Sequence, residues 1–540
     1  MIDLNPNHLA TVERILDGHV PESEVRAFGS RATWTAKDYS DLDLAIVGSG
    51  PLDRRTLGRL KEAFEDSELP IRVDVLDWHS ISESFREVIK RDYVIVQDGA
   101  NGRRVAFTVT SGAWSETPFS QAVEVNPTVR LRRGAVYPFV DMASVNPDSR
   151  ITLSAEEREF KGSGSRFQSG DTLMARITPC LENGKIARYQ AIGDNLEAHG
   201  STEFIVIRGR LGVTDNDFAY YLTQWKEVRN YAIGQMTGTS GRQRVPVDCL
   251  DHLQILLPPI SEQRAIAHVL GALDDKIELN RRMNQTLEQM ARAVFQDWFV
   301  DFGPVRAKLE GREPYLPPEL WDLFPDRLVD SELGEIPEGW GIGKIGDVAT
   351  QRKRAVKSRD IEPDTPYIAL DHMPKKCIAL SEWDRAEGLA SGKFEFKHGD
   401  ILFGKLRPYF HKVGVAPLDG VCSTDIAVVS PKTEEWRSFA LGHLSSSEFV
   451  DYTDAMSTGT RMPRTSWADM ASYGIPLPNR DLAYAFTTSV QPWVDRMVSA
   501  IHESQALAGQ RDVLLPKLVS GGLRVNAVGF DFVGEANVVP

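Results

Sequence analysis

A chain of 540 residues, with 42% hydrophobic and 26% charged residues, is too long for a single core and predicts a soluble protein of three or more domains. It has no apolar run long enough to span a membrane and no basic segment followed by an apolar one near its start, so neither a membrane span nor a signal peptide is expected. The formal net charge of −14 argues against DNA binding through bulk charge, although a local basic groove stays compatible with it.

The cysteines predict the redox compartment. The four of them are far apart and form no Cys-x-x-Cys pair: Cys180, Cys249, Cys377 and Cys422. This spacing fits neither a zinc site nor a disulfide framework. We therefore expect a protein of the reducing cytoplasm.

The first hundred residues predict a small α/β domain that carries much of the acidic excess, with 12 Lys and Arg against 19 Asp and Glu. Apolar periodicity predicts a helix over residues 7–18 and strands over residues 25–28, 41–47 and 71–76. Asp41 and Asp43 are two residues apart on one predicted strand, so both carboxylates point to the same face. Asp74 lies on the next strand, and Gly29 and Ser30 form a turn after the first.

Three carboxylates near a Gly-Ser turn are suited to a divalent metal and a phosphate. Mg²⁺ prefers hard oxygen ligands and usually shares them with substrate phosphates. The backbone N–H groups of the turn at Gly29 and Ser30 can face such a phosphate. The plain alternative is a solvated strand edge beside an ordinary turn.

This constellation resembles the minimal nucleotidyltransferase domain of the polymerase beta type, over about residues 5–100. That family has a Gly-Ser pair, roughly ten residues, Asp-x-Asp, and a third Asp on a later strand. The resemblance implies that Asp41, Asp43 and Asp74 are catalytic and bind Mg²⁺, and that Gly29 and Ser30 hold a nucleoside triphosphate, expected to be ATP. In the family some domains transfer AMP to a helical partner, and we find no such helix in this chain. A domain that keeps these residues as a binding or regulatory module is the alternative.

An internal repeat fills the rest of the chain. The segment FQSGDTLMARITPCLENGKIARY from Phe167 matches FKHGDILFGKLRPYFHKVGVAPL from Phe396, with Gly170-Asp171 and Gly399-Asp400 offset by 229. Residues 201–203 match residues 423–425, and LLPP at 256–259 matches PLPN at 476–479. Each copy contains short β-type runs punctuated by Gly and Pro, so we expect two similar β-rich globules.

A long helix is predicted after each globule. Residues 261–302 contain no Pro and carry one apolar stripe that includes Ile266, Leu270 and Leu273. Asn280 and Asn284 interrupt the stripe, and such polar residues cost stability but fix the register against a partner helix. The second helix carries its stripe at residues 490, 494, 497 and 501. Two helices at the same relative position can pack antiparallel and give a pseudo-twofold molecule, which suits two similar half-sites.

This arrangement resembles the specificity subunit of type I restriction–modification systems, over roughly residues 104–525. The motifs that carry the resemblance are LPPISEQRAIAHVLGALDDKIELNRRMN, ARAVFQDWFVDFGPV and ELGEIPEGWGIGKIGDV. The resemblance implies two target recognition domains that each read half of a split sequence in double-stranded DNA. It also implies helices that set the spacing and dock two methyltransferase subunits, with restriction–translocase subunits joining for cleavage.

We therefore expect an α+β multidomain fold: a small nucleotidyltransferase-like domain, then two β-rich recognition domains separated by two long antiparallel helices. The predicted bounds are residues 1–100 for the nucleotidyltransferase-like domain, 101–258 and 313–478 for the recognition domains, 259–312 and 479–525 for the helical regions, and 526–540 for a tail.

Basic turns at equivalent positions of the repeat are the first candidates for DNA contacts. They are GTSGRQRVP from Gly238, with Arg242 and Arg244, and GTRMPRTS from Gly459, with Arg461 and Arg464. Arginine can address guanine bidentately or hold a phosphate. The second candidates lie beside the Gly-Asp strands: Lys185, Lys405 and Arg407. The Gly-Asp steps themselves are typical of turns.

Motifs for other chemistry are missing from the sequence. There is no Gly-x4-Gly-Lys-Ser/Thr phosphate loop and no Asn/Asp-Pro-Pro-Tyr/Phe run of amino-methyltransferases. The recognition region is therefore expected to be non-catalytic, with methylation and cleavage coming from partner subunits. The alternative function is a nucleotidyltransferase, for example one that transfers AMP to a protein, which the repeat delivers to DNA.

Overall fold

The computed structural model describes residues 4, 6–29, 31–32, 40–48, 50–67, 69–83, 85–86, 89, 93–97, 114–193, 195–239, 241–459, 461–526 and 529–532. The chain divides into two compact units, residues 1–269 with 514–540, and residues 270–513. Within the described residues, no helix is both long enough and apolar enough to cross a membrane. The predicted domain bounds stay predictions.

The N-terminal sheet contains the three strands that the sequence predicted and a fourth, Tyr93–Gln97, that it did not. Its strands are β1 (Glu24–Phe28), β2 (Leu42–Val47), β3 (Val73–Asp77) and β4 (Tyr93–Gln97), in the spatial order β3-β2-β1-β4. The helices α1 (Pro6–His19) and α2 (Arg54–Glu65) contribute Val12, Leu16 and Leu60 to a core with Leu42 and Leu44. Asp53 caps α2 by accepting a hydrogen bond from the backbone N–H of Thr56.

The first lobe, residues 114–257, is built mostly of short strands. Its strands are Ser115–Pro118, Val123–Val125, Val136–Val140, Ile151–Thr152, Glu156–Glu159, Ser165–Gln168, Thr172–Ala175, Ile186–Tyr189, Glu197–Gly200, Phe204–Gly209 and Gln254–Leu257. Its helices are Phe119–Ala122, Asn216–Gln224 and Lys226–Gly234, with a 3-10 turn at Val247–His252. The strands form one four-stranded sheet, one five-stranded sheet and one pair.

The second lobe, residues 328–477, repeats this plan. Its strands are Leu328–Ser331, Gly334–Pro337, Gly341–Lys344, Ala349–Gln351, Ala355–Val356, Pro366–Ile368, Asp384–Arg385, Lys393–Phe396, Ile401–Gly404, Val413–Val415, Gly420–Cys422, Ile426–Pro431 and Gly474–Leu477. Its helices are Ile345–Val348, Arg437–Leu444, Ser447–Ala455 and Trp467–Ala471, with 3-10 turns at Ser358–Asp360, Pro408–Phe410 and Glu434–Trp436. The short helices Gly303–Leu309 and Pro318–Trp321 precede it, and the hairpin Leu523–Asn526 with Gly529–Phe532 follows the second long helix.

The register of the central strands confirms the duplication. Leu173 pairs with Val206 in the first lobe, and Leu402 pairs with Val428 in the second, both in antiparallel ladders. The Gly-Asp steps are turns, as expected. Asp171 and Asp400 accept hydrogen bonds from the backbone N–H groups of residues 168 and 397, each at 2.8 Å.

Two helices of 40 residues each, the first long helix (Ile260–Phe299) and the second long helix (Arg480–Val519), confirm the predicted pair. They run antiparallel, because residues further along the first helix contact residues earlier in the second. Within residues 270–513, Asn280 donates to Glu503 at 2.9 Å, and Asn284 donates to the carbonyl of Met497 at 3.3 Å. Both asparagines are buried, so the polar interruptions of the stripe face the partner helix.

Aromatic packing anchors the end of the first long helix in the second lobe. Phe295, Trp298 and Phe299 pack against Phe439 and Phe486. A Cβ atom at position 442 would lie 2.2 Å from the ring of Phe295, so only glycine allows this approach.

A buried ion pair in the helix seam gives a stability test. Arg511 Nη1 lies 2.8 Å from Asp274 Oδ1, and the Asp274 side chain is only 7% exposed. Removing the arginine takes away a positive charge that stabilises the buried carboxylate of Asp274. We expect Arg511→Met to lower the free energy of unfolding by roughly 2–3 kcal/mol, measured by urea titration of the full chain.

Arg282→Met is the matched control for this measurement. Arg282 pairs with Glu278 on the same helix surface, and its side chain is 64% exposed. Exposed pairs contribute less than about 1 kcal/mol. Equal effects of the two substitutions would contradict a buried ion pair in the seam.

Candidate functional site

The N-terminal sheet brings the predicted carboxylates to one face. β2 lies between β1 and β3, and the register places Asp43 opposite Asp74 in the parallel ladder. Phe28, at the end of β1, lies opposite Asp43 on the other side. Asp41 precedes β2 and is two residues from Asp43, so its side chain is directed to the same face. The sheet thus joins residues that are more than 30 positions apart in the chain.

The turn after β1 lies against this carboxylate group. Gly29 has φ +78°, and a Cβ atom there would be 2.7 Å from Asp43 Oδ2. Both facts require glycine at this position. Ser30, the other residue predicted to hold the triphosphate, lies outside the described residues.

Charge repulsion and burial act on Asp43. Its half-buried position raises the pKa of the carboxyl group, and the neighbouring carboxylates of Asp74 and Asp41 raise it further. Arg72 Nη2 lies 3.0 Å from Asp74 Oδ1, but both side chains are well exposed, so solvent screens this pair.

The fit of these residues to a metal ion is chemical rather than geometric. Hard carboxylate oxygens suit Mg²⁺, and a cation would relieve the repulsion on Asp43. However, no three His, Cys, Asp or Glu side chains of the described residues are gathered closely enough to hold a metal ion. The ligand set Asp41, Asp43 and Asp74 therefore stays a prediction.

Hydrogen bonds and one ion pair form a network at the base of the first lobe's basic turn. Arg244 donates to both carboxylate oxygens of Glu203, with Nε at 3.0 Å and Nη2 at 2.7 Å. Its backbone exchanges hydrogen bonds with Thr237, and the N–H of Thr178 donates to the carbonyl of Gln243. The turn between Thr237 and Arg244 is thus fixed at its base.

The second lobe has the same network at the equivalent positions. Arg464 Nη2 lies 2.6 Å from Asp425 Oδ1, and the backbone of Arg464 exchanges hydrogen bonds with Thr458. The N–H of Arg407 donates to the carbonyl of Pro463 at 2.8 Å, as Thr178 does to Gln243. Two turns of different sequence are therefore held by one arrangement of bonds.

The predicted cations fall into three groups. Arg242 and Arg461 are exposed on the turns. Arg244 and Arg464 are ion-paired at the bases of the turns, where they position the backbone. Lys185 donates to the carbonyl of Met142 at 2.8 Å, and Lys412 makes the equivalent bond to the carbonyl of Leu370. Both lobes thus have this bond, and the role of Lys185 in DNA binding stays a prediction.

Lys405 and Arg407 lie at the end of a central strand of the second lobe. Burial lowers the pKa of Lys405, Asp425 opposes this, and Arg464 and Lys353 lower it further. Arg407 adopts a left-handed conformation at φ +51°, and its Nη2 is 3.5 Å from the carbonyl of Arg461.

Sequence reasoning missed Arg176 and the two acidic partners. Arg176 aligns with Lys405 at the offset of 229, in the strings MARI and FGKL, so the signal was present in the repeat. Glu203 and Asp425 align in the strings STE and STD, but their role as partners of the turn arginines required the tertiary structure.

The fold and these sites define a two-part protein: a small sheet with a carboxylate face, followed by a duplicated β-rich lobe with paired long helices. A model of the family "Type I restriction modification DNA specificity domain" matches residues 134–289. A model of the family "Polymerase beta, Nucleotidyltransferase" matches residues 12–99.

Known proteins resemble the two parts separately. The chain is 53% identical over 97 residues to the probable protein adenylyltransferase MntA of Haemophilus influenzae, covering 18% of this chain and 85% of that protein. It is 25% identical over 404 residues to the type I restriction enzyme HindI specificity subunit of the same organism, covering 66% of this chain and 87% of that protein. The crystal structure of the S subunit of a type I system from M. genitalium covers 77% of this chain and 98% of that chain, with 14% identity and a TM-score of 0.43.

The first hundred residues belong to the nucleotidyltransferase family of MntA. Residues 134–289 match the type I restriction modification DNA specificity domain, and the chain is similar to a type I specificity subunit over 66% of its length.

The raised pKa of Asp43 generates a pH-dependent prediction. Because the folded state raises this pKa, ionising Asp43 at neutral pH costs stability, and the cost disappears when the group is protonated. Without added metal, Asp43→Asn should raise the melting temperature of the N-terminal domain at pH 7, and the difference should vanish below pH ~3.

Two controls accompany this measurement by differential scanning calorimetry of the full chain. Asp17→Asn removes an exposed carboxylate from α1 and should change the melting temperature little. Added Mg²⁺ should stabilise the unsubstituted protein more than Asp43→Asn. A lower melting temperature for Asp43→Asn at pH 7 would show that Asp43 is not electrostatically strained.

Proposed function

We propose that each lobe reads one half of a split target in double-stranded DNA through its basic turn. The observation that carries this proposal is the shared network, which presents Arg242 on one turn and Arg461 on the other. Turn side chains can differ between the lobes while the network keeps each turn in place, so two different half-sites can be read by one scaffold. Lys405 and Arg407 add positive charge beside the second turn, whereas Arg244, Arg464 and Lys185 act by positioning the backbone.

The paired helices would set the number of unread base pairs between the half-sites. Each helix has 40 residues, or about 60 Å at ~1.5 Å per residue. The duplication of the lobe supports docking of two methyltransferase subunits, and restriction–translocase subunits would join them for cleavage. The four free cysteines support assembly in the cytoplasm.

A matched insertion in both helices tests the role of the spacer. Seven residues are inserted after Met283 and seven after Met497. These two points face each other, because Asn284 donates a hydrogen bond to the carbonyl of Met497, so the insertions lengthen both helices by one heptad at the same place. Seven residues add about 10 Å, or roughly three base pairs. Methylation mapping with the assembled complex should show both half-sites unchanged and the gap longer by about three base pairs.

Insertion in the first long helix alone is the control, because it breaks the pairing and should abolish methylation. A folded double-insertion variant that methylates the original spacing would contradict the spacer role.

The N-terminal domain is proposed to use Mg²⁺ and ATP. In this proposal Asp41, Asp43 and Asp74 hold the metal, and the turn at Gly29 and Ser30 holds the triphosphate. The metal would neutralise phosphate charge and help to activate the attacking oxygen. The relative named as a probable protein adenylyltransferase supports a protein as the acceptor of AMP. Recognition of DNA is proposed as the primary function; the alternative is an adenylyltransferase that the two lobes bring to DNA.

The double substitution Asp41→Ala with Asp43→Ala separates these two functions. We expect DNA methylation by the assembled complex to stay within about twofold of the unsubstituted rate, since neither residue lies in a lobe. Transfer of label from α-labelled ATP to protein, in the presence of Mg²⁺, should be lost.

Asp17→Ala serves as the control and should leave both activities intact. Loss of methylation in the double variant, with its melting temperature unchanged, would make the nucleotidyltransferase activity primary. Equal labelling by the double variant and the unsubstituted protein would remove the proposed catalytic roles.

A further inference from the structure

The first lobe contains a cleft of about 430 Å³ beside its central strands. Residues from four segments line it, and none of those described is acidic. They are Asn126, Pro127, Thr128, Val129, Gly164, Ser165, Arg166, Arg176, Thr202, Phe204 and Val206. In a chain with a net charge of −14, a cleft with two arginines and no carboxylate is suited to an anion.

The chemistry of the lining is mainly that of hydrogen-bond donors. Arg166 and Arg176 offer guanidinium groups, and Thr128 and Thr202 offer hydroxyl groups. The hydroxyl of Ser165 already donates to the carbonyl of Phe204 at 2.9 Å. The carbonyl oxygen of the Asn126 side chain already accepts the backbone N–H of Val206 at 2.9 Å, which leaves its NH₂ group for a ligand. A phosphate accepts hydrogen bonds only, whereas a base edge usually presents both donors and acceptors.

Two backbone hydrogen bonds fix the position of Arg176. Its backbone N–H donates to the carbonyl of Glu203 at 2.9 Å, and its carbonyl accepts the N–H of Val245 at 2.8 Å. The buried Nε atom of its side chain has no hydrogen-bond partner among the described residues. By contrast, the nearby Arg244 is ion-paired with Glu203 through Nε and Nη2. Arg176 therefore lines the cleft with a half-buried guanidinium that pairs with no carboxylate among the described residues.

The second lobe has a cation at the equivalent position. The N–H of Lys405 donates to the carbonyl of Asp425 at 2.8 Å, and its carbonyl accepts the N–H of Thr465 at 3.1 Å. These are the bonds that Arg176 makes in the first lobe. Lys405 is half-buried close to Arg464 and Lys353, and an anion bound there would offset their mutual repulsion. A cation next to the basic turn is thus common to both halves of the repeat.

We propose that Arg176, at the wall of this cleft, binds a backbone phosphate of the DNA and that Lys405 does the same in the second lobe. This inference rests on the proposed function, because it assigns part of the DNA contact. A concave wall can receive a projecting phosphate, while base edges lie at the floor of a groove. Each such phosphate contact would fix the position of the lobe so that the neighbouring turn meets the bases.

The test compares Arg176→Ala and Arg176→Lys with Lys226→Ala, which removes an exposed cation on a helix of the same lobe outside the cleft. The full chain is assembled with its methyltransferase subunits. The dissociation constant is measured at 50–200 mM salt on a duplex carrying the mapped target and on a scrambled duplex. Melting temperatures of the three variants show whether each one folds.

Arg176→Ala should weaken binding about tenfold on both duplexes at low salt. The slope of log K against log salt should fall in magnitude by about 0.9, the value of one phosphate contact. Arg176→Lys should keep the slope, and Lys226→Ala should change neither quantity. This pattern, repeated with Lys405→Ala, would support the proposal for both lobes.

Three results would overturn the proposal. One is an unchanged slope with relaxed preference at a single base pair, which would assign Arg176 to base reading. Another is equality of Arg176→Ala and Lys226→Ala on DNA. The third is a melting-temperature shift with inorganic phosphate that depends on Arg176 while DNA affinity does not, which would assign the cleft to a free phosphate ligand. If the unsubstituted complex prefers no split target, the proposed function fails, but the slope on the scrambled duplex still tests the cleft.

Discussion

The seam between the two long helices is the constraint on which the rest of the recognition region depends. Within residues 270–513, Asn280 and Asn284 lie buried in an otherwise apolar interface, and each donates a hydrogen bond across it. The side-chain oxygens of both asparagines are buried without partners among the described residues. If the helices slid past each other, the side-chain NH₂ groups would lose their hydrogen bonds as well, and buried polar groups without partners are costly. Apolar contacts alone would tolerate several registers, but these polar contacts favour one.

The duplication shows how one scaffold can present two different surfaces. Backbone bonds and one arginine–carboxylate pair fix the base of each basic turn, with Arg244 and Glu203 in one lobe and Arg464 and Asp425 in the other. None of these bonds involves the side chains at the tips of the turns. The tips can therefore change their sequence without loss of the supporting structure.

The N-terminal domain places electrostatic strain where its proposed chemistry lies. Asp43 is half-buried, its pKa is raised by burial and by two neighbouring carboxylates, and Gly29 lies directly against it. A cation bound beside Asp43 would relieve this repulsion. The fusion joins this domain to a DNA-recognition subunit within one chain.

The sequence by itself determined the elements whose signal is local or repeated. Apolar periodicity located the two long helices and three of the four N-terminal strands. The order Gly-Ser, Asp-x-Asp and Asp indicated the carboxylate face, and the offset of 229 identified the duplicated lobes. It could not separate cations that hold the fold from cations that are available to a ligand. Only the tertiary structure paired Arg244 with Glu203, tied Lys185 to the carbonyl of Met142 and left the buried Nε of Arg176 without a partner, because these states depend on groups that are distant in the chain and meet only in the folded lobe.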